Sequence, residues 1–427
     1  MKTETLGSNI ELHLLETGKF KDVLISFRFI HELKEPDNGI RTLLALMLAD
    51  RCEKYPTKQE VSRCLDGLYG ASASCRTTTC GRAQVLEFRI RALNEKYVGG
   101  ELLKRQIALA SQFLLHPLKE NGLLSSAVYD EAMINLKAMI QRRHDNPSSY
   151  AAARCGQLLA EGQPLGIGML PDMEQAQKIT LQQVSEAYED MILHDRLDIF
   201  VEGLADQDQV ISCVREHFPL SDRQGMVDCC YALQRQDKVS GWESREMDQT
   251  TLVMMYPTGV TLRDEDYWAL RTGNCIFGQL PTSMLFQQVR EKRSLCYSIY
   301  SSVLSYDGVL SVSTGIDRAQ LQQVQTLIEQ QRQRMADGDF DEEMLEMGKT
   351  MLIQSLQASQ DDPHSVINRE YQNVLLGRHQ TLDQMIAAIR QVSRQKIMAL
   401  FAQMSLKAVF ALCQKEGDHE ENSSYPF

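Results

Sequence analysis

The stretch Arg290-Glu291-Lys292-Arg293-Ser294-Leu295-Cys296-Tyr297-Ser298-Ile299-Tyr300 changes character halfway along. Its charged first part closes a helix that Ser283 can cap, running from Met284 to about Arg293 with Met284, Leu285 and Val289 inward. Cations at that end suit the negative pole of a helix. Leu295 to Tyr300 then reads as a strand. Arg290 therefore stands near a helix end, and Tyr297, seven positions on, near a strand start. An arginine fork can hold a peptide carbonyl, and a tyrosine hydroxyl can donate to an oxygen that gains negative charge. On spacing alone, an Arg-rich helix end followed by a strand tyrosine is ordinary architecture. Of the neighbouring residues, Arg293 reads as solvated and Tyr300 as packed on a sheet.

Working outward, the chain repeats itself. Asp22 to Ile30 is apolar at alternate positions, with Val23, Ile25, Phe27 and Phe29 on one face; Thr250 to Pro257 plays the same part later. Each precedes an apolar helix, about Gly39 to Glu53 and about Asp264 to Gly278. Gln84 to Arg91 alternates, with Leu86, Phe88 and Ile90 toward a core and charges toward water. Ser298 to Val303 and Val309 to Thr314 are its later counterparts, joined by Tyr306-Asp307-Gly308. Asn146-Pro147 and Asp362-Pro363 each start a helix, cap followed by proline. Thr180 and Ser393 cap matching short helices, and strands at Leu197 to Val201 and Ala408 to Leu412 close the halves.

A lag near half the length indicates a duplicated domain rather than a solenoid. The expected division is 1–205, a connector at 206–246 with a helix near Val210 to Phe218 and the polar stretch Arg235 to Lys238, a second domain at 247–415, and a frayed tail at 416–427. Ala319 to Arg334 is Gln-rich but keeps an apolar stripe, so it reads as a helix.

A hydrophobic fraction of 43% and a charged fraction of 24% belong to ordinary soluble protein, and 427 residues can bury a large core. A net charge of -12 argues against a nucleic-acid partner and mildly favours basic peptides. No apolar run approaches a membrane span, and no signal peptide is expected at the start. Eleven scattered cysteines suit reduced thiols in a cytoplasm. Cys75 with Cys80, and Cys229 with Cys230, lack metal-site spacing and read as small hydrophobes. His31 and Glu35 have helical spacing without a second histidine, and read as a loop before Pro36. The acidic run Asp339 to Glu343 reads as a helix start capped by Asp341.

The REKRSLCYS string, Asn274-Cys275-Ile276-Phe277-Gly278 before it and the repeated halves together resemble the pitrilysin/insulinase metallopeptidases (inverzincins). The resemblance spans about Gly7 to Gln414 and implies an α+β fold of two homologous domains, each a mixed twisted sheet with helices packed on one face. The family's zinc helix reads HxxEH. Here the first histidine position is Thr42, the glutamate is Ala45, the second histidine is Leu46, and the third ligand falls near Met139. No register shift repairs this, because no histidine lies between His31 and His116. The resemblance therefore implies no zinc in this chain, and assigns substrate contact to Arg290 and Tyr297, which face a cavity between the halves in the family. It further implies a homologous zinc-binding subunit as partner, a peptide substrate and, through paired bacterial relatives, a link to elongation factor P modification. The alternative is a peptide- or protein-binding scaffold without proteolysis. A thiol hydrolase is a third reading, for which the sequence pairs no cysteine with a base.

Overall fold

Eleven strands build two sheets in the computed structural model, which describes residues 1–218, 222–231, 233 and 237–415. The strands are β1 (Lys2–Gly7), β2 (Ile10–Glu16), β3 (Asp22–Glu32), β4 (Ser72–Cys80), β5 (Ala83–Leu93), β6 (Arg196–Gly203), β7 (Val239–Arg245), β8 (Thr250–Pro257), β9 (Cys296–Leu304), β10 (Val309–Ile316) and β11 (Ala408–Gln414). The first sheet has the order β1-β2-β6-β3-β5-β4, the second β9-β10-β8-β11-β7. Read from the other edge, the second order is β7-β11-β8-β10-β9, which repeats β2-β6-β3-β5-β4 strand for strand. Each has one parallel pair, β2 with β6 and β7 with β11, and is otherwise antiparallel.

The compact units are not the contiguous segments expected. One comprises residues 1–141, 168–229 and 362–375; the other comprises 142–167, 230–361 and 376–427. Each unit thus takes one helix from the opposite half of the chain: Pro363–Leu375 joins the first, Pro147–Leu159 the second. These are the two helices that begin at Asx-Pro. Asn146 accepts from Ser149 N at 2.9 Å and Asp362 from Ser365 N at 2.9 Å. The expected connector helix, Gln207–His217, sends Val210, Cys213 and Val214 into the first unit's core. Arg235 and Gln236, and the expected tail 416–427, lie outside the described residues.

In the first unit, Val23, Ile25, Phe27 and Phe29 of β3 and Leu86, Phe88 and Ile90 of β5 face the helical layer. Helices Asp37–Leu48, Leu102–Leu115, Ser126–Asp145 and Leu181–His194 supply the other half of that core. The opposite face was read as wet, and there the structure differs. Glu87 is only 3% exposed because the helix Pro363–Leu375 lies over it. That face carries a cross-strand row of alternating charge, Arg76–Glu87–Arg28–Asp198, completed by Glu11 on β2. Arg28 Nη2 donates to Glu87 at 2.7 Å and to Asn368 at 2.6 Å, under the Tyr371 ring at 4.5 Å. His364 lies 3.1 Å from both Glu87 oxygens.

The second unit covers the corresponding face with hydrocarbon instead. Ala151, Cys155 and Leu159 of Pro147–Leu159 pack on Val253, Met255, Phe410 and Leu412. The approach is close enough that a Cβ on Gly241 would meet Leu158 Cδ1 at 2.7 Å. Its other core lies between the sheet and helices Tyr267–Asn274, Leu321–Asp337, Glu342–Ala358 and Arg394–Gln403.

Glu202 on β6 also lies on the charged face of the first unit. It is buried, and its Oε2 has no hydrogen-bond partner. Burial, then the nearby Asp362 carboxylate, pushes it up to about 8. In the unfolded chain the group titrates near 4.5. Between those values only the native state holds the proton, so stability falls as pH rises across the window and levels off above it. Glu202→Gln should remove this slope. Urea midpoints should show a stabilisation that is small at about pH 4.5 and reaches a few kcal/mol by about pH 8. A gain independent of pH would contradict the assignment.

Candidate functional site

The helix Asp37–Leu48 follows β3, where the resemblance places a zinc helix, and its side chains are engaged in packing. Thr42 is 3% exposed. Its hydroxyl donates to the Asn38 carbonyl at 2.8 Å, lies 2.9 Å from Thr77 Oγ1 and accepts from Gln84 Nε2 at 3.3 Å. Ala45 is in the core cluster and Leu46 packs against it. Met139 is half-buried on Ser126–Asp145. Zinc needs imidazole, thiolate or carboxylate donors. A spoken-for hydroxyl, two alkyl groups and a thioether do not fit it, and Ala45 offers no base.

Among the described residues, two groups bring histidine and carboxylates within reach of one cation: Glu11, His13 and Asp198, and His31, Asp190 and Asp195. In both, an arginine already stands there. Arg196 Nη2 reaches Glu11 at 2.9 Å and Asp198 at 2.8 Å. Arg41 bonds Asp190 at 2.9 Å and takes Asp195 with both terminal nitrogens. No cysteine joins either group, and the cysteines are free thiols. The acidic run is a cap, with Asp341 accepting from Met344 N at 2.8 Å.

His31 is in β3, not the loop expected from Pro36, and its partners are Asp195 at 3.2 Å and Asp37 at 3.3 Å rather than Glu35. Burial pulls its pKa down, but bonds to the two carboxylates outweigh that and raise it above 6.5. Its contribution is therefore complete below 6.5 and is lost as pH rises through the higher folded value. Asp37, lowered first by its bond to His31, contributes above 3.8 and loses that as pH falls through the lower folded value. Thermal unfolding of wild type and His31→Gln should differ most at about pH 5 and converge by about pH 9. A gap that widens with pH would contradict the pairing.

The Arg290 and Tyr297 side chains do come together. Ser283 caps the preceding turn through Phe286 N at 3.4 Å. The segment Phe286–Glu291 is then π-helical rather than the regular helix expected, and Ser294 takes a left-handed φ of 52° before β9. The β9–β10 register shifts between Cys296 and Ser298. Tyr297 is the extra residue of that bulge, which turns its ring outward, 78% exposed. Arg290 Cζ lies 4.5 Å from the Phe286 centroid and 5.7 Å from the Tyr297 centroid. Two aromatic faces thus hold the guanidinium while its edge stays open, with only a 3.9 Å approach to Glu291. Phe286 went unnoticed in the sequence, although it stands four residues before Arg290. Arg293 is exposed and donates to the Gln288 carbonyl at 2.9 Å. Tyr300, expected to pack, is 48% exposed at the edge of the sheet.

The family described as "Peptidase M16 inactive domain" matches residues 178–352. "Probable inactive metalloprotease YmfF" of Bacillus subtilis (strain 168) is 28% identical over 408 residues, covering 95% of this chain and 96% of the relative. "Uncharacterized zinc protease YmxG" of the same strain is 31% identical over 163 residues, 38% of this chain and 40% of that one. Among solved structures, a conserved protein from Enterococcus faecalis V583 gives a TM-score of 0.93 at 26% identity, covering 98% of this chain and 99% of the other. The M16 inactive domain from Pseudomonas fluorescens gives 0.81 at 14% identity, covering 98% and 100%, and shows the fold alone. The zinc positions are filled by core packing, and a near full-length relative is itself named as inactive. Residues 178–352 thus match a peptidase M16 domain, and over nearly its whole length the chain is similar to a relative named as an inactive metalloprotease.

Proposed function

We propose that this chain is the non-catalytic subunit of a two-chain M16 zinc peptidase, contributing Arg290 and Tyr297 to substrate held at a homologous partner's zinc. The observation that carries the reading is an asymmetry. The Arg290–Tyr297 pair is assembled, stacked and open to solvent, while Thr42, Ala45 and Leu46 cannot hold a metal. The metal and its activated water belong to the partner. This chain's guanidinium fork holds a peptide carbonyl, and the Tyr297 hydroxyl donates to the oxygen that becomes negative. The equivalent strand orders of the two sheets support a duplicated ancestor. Free thiols throughout, and no described helix long and apolar enough to cross a membrane, fit a cytoplasmic site of action.

The test mixes this chain with the zinc-bearing homologue encoded nearest to it, against a peptide library and, for the link to elongation factor P modification that the resemblance implies, against that protein. Cleavage by the mixture and by neither chain alone is expected. Stoichiometric peptide binding with no turnover in the mixture would favour a scaffold and refute the subunit reading.

A further inference from the structure

Phe286 opens the π-helical turn that carries Arg290, and it stays out of the core. Met284, Leu285 and Val289 beside it are buried between the second sheet and its helices, whereas Phe286 is half-buried and has no place in that cluster. Partial exposure of a single ring is ordinary. Its alignment is the informative part, because the ring centroid lies 4.5 Å from Arg290 Cζ.

The backbone makes that pairing. Lys292 N donates to the Gln287 carbonyl at 3.0 Å, the wide hydrogen-bond spacing of a π-helical turn. Arg290 stands four positions after Phe286 and so lies on the same side of the turn. The second ring comes from a different element, since the strand bulge brings Tyr297 to 5.7 Å from the guanidinium. Glu291 does not compete for the group. It is an exposed carboxylate at 3.9 Å, too loose a pair to orient a guanidinium.

An arginine has many rotamers to lose when it clamps a ligand. Two aromatic faces, each negative at its centre, restrict the guanidinium before the ligand arrives. Such preparation matters for rate, because a displacement of about 1 Å at a reacting centre costs about 10²-fold.

We propose that Phe286 and the ring of Tyr297 are positioning residues, which set the plane of the Arg290 guanidinium before a peptide carbonyl reaches it. Tyr297 then has two separable roles: its ring acts through Arg290, and its hydroxyl acts on the substrate. The proposal rests on the subunit reading and deepens it. Because Phe286 acts only through Arg290, its substitution has nothing left to act on once Arg290 is gone.

Steady-state peptide cleavage by the two-chain mixture tests this as a double-substitution cycle. Phe286→Leu should lower kcat/KM about tenfold, and Phe286→Tyr, which keeps the aromatic face, should restore most of the loss. In a chain that already carries Arg290→Ala, Phe286→Leu should change nothing further. Tyr297→Leu should fall about tenfold below Tyr297→Phe, since only the first removes the ring. Phe286→Leu cleaving at the wild-type rate overturns the proposal. So does an equal loss with and without Arg290→Ala, which would make Phe286 a packing or substrate residue.

The isolated chain gives a second reading that needs no partner. With isotope-labelled arginine, ring currents should hold the Arg290 δ-protons upfield in the wild type, and Phe286→Leu should move them downfield at an unchanged unfolding midpoint. The two readings fail separately. A wild-type mixture that cleaves nothing while this shift is present refutes the subunit role, and with it any part for the stack in cleavage. A mixture that cleaves while the shift is absent refutes the stack alone.

Discussion

Arg290→Ala should lower the cleavage rate of the two-chain mixture by about 10²–10³-fold, the usual effect of removing one preorganised donor to a developing oxyanion or a clamped carbonyl. Tyr297→Phe should fall by about 10²-fold, because it removes only the hydroxyl. Tyr297 is 78% exposed and Arg290 is half-buried between two rings at the surface, so Tyr297→Phe should leave the unfolding midpoint where it was and Arg290→Ala should shift it only slightly. Arg290→Lys separates charge from geometry. It keeps the cation but loses the planar fork stacked between Phe286 and Tyr297, and most of the activity should go with the fork. Rates unchanged by both Arg290→Ala and Tyr297→Phe would show the pair to be architecture.

A comparably large effect on stability is expected at Glu87→Ala, about 3–5 kcal/mol in urea unfolding. Glu87 is the hub of the buried charged row. It accepts from Arg28 at 2.7 Å, Ser26 at 2.8 Å and Arg76 at 3.0 Å, with His364 at 3.1 Å. Its removal leaves the Arg28 guanidinium, 4% exposed, without its hydrogen-bonded carboxylate, and cuts a tie to the helix Pro363–Leu375. Burial alone would raise the Glu87 pKa, but the bond from His364 and the charge of Arg28 hold it well below the usual carboxylate range. The contribution is therefore present above the unfolded value of 4.5 and disappears as pH falls through the lower folded value. A loss under about 1 kcal/mol at neutral pH would mean that water replaces the carboxylate and that the face is less closed than described.

Much of the fold was legible because the signals are local. Alternation at Val23, Ile25, Phe27 and Phe29 marks β3, and the Asx-Pro starts mark the helices at Pro147 and Pro363. The destination of those helices was not legible. Nothing between Pro363 and Leu375 says that it covers a sheet more than 150 residues earlier in the chain. For that reason the charges of β5 were read as wet when Glu87 is dry. At the site, residue identity was enough to show that Thr42, Ala45 and Leu46 cannot ligate zinc. The features that aim Arg290 and Tyr297, a π-helical turn and a one-residue bulge, arise from hydrogen-bond registers that no side-chain pattern records.

The central claim concerns the first unit's inability to hold a catalytic ion, and zinc stoichiometry of the isolated, refolding-competent chain measures it. After dialysis against a micromolar zinc buffer and removal of free metal, elemental analysis should find well under about 0.1 zinc per chain, and addition of chelator should leave the unfolding midpoint where it was. Close to one zinc per chain, lost together with stability on chelation, would contradict the account.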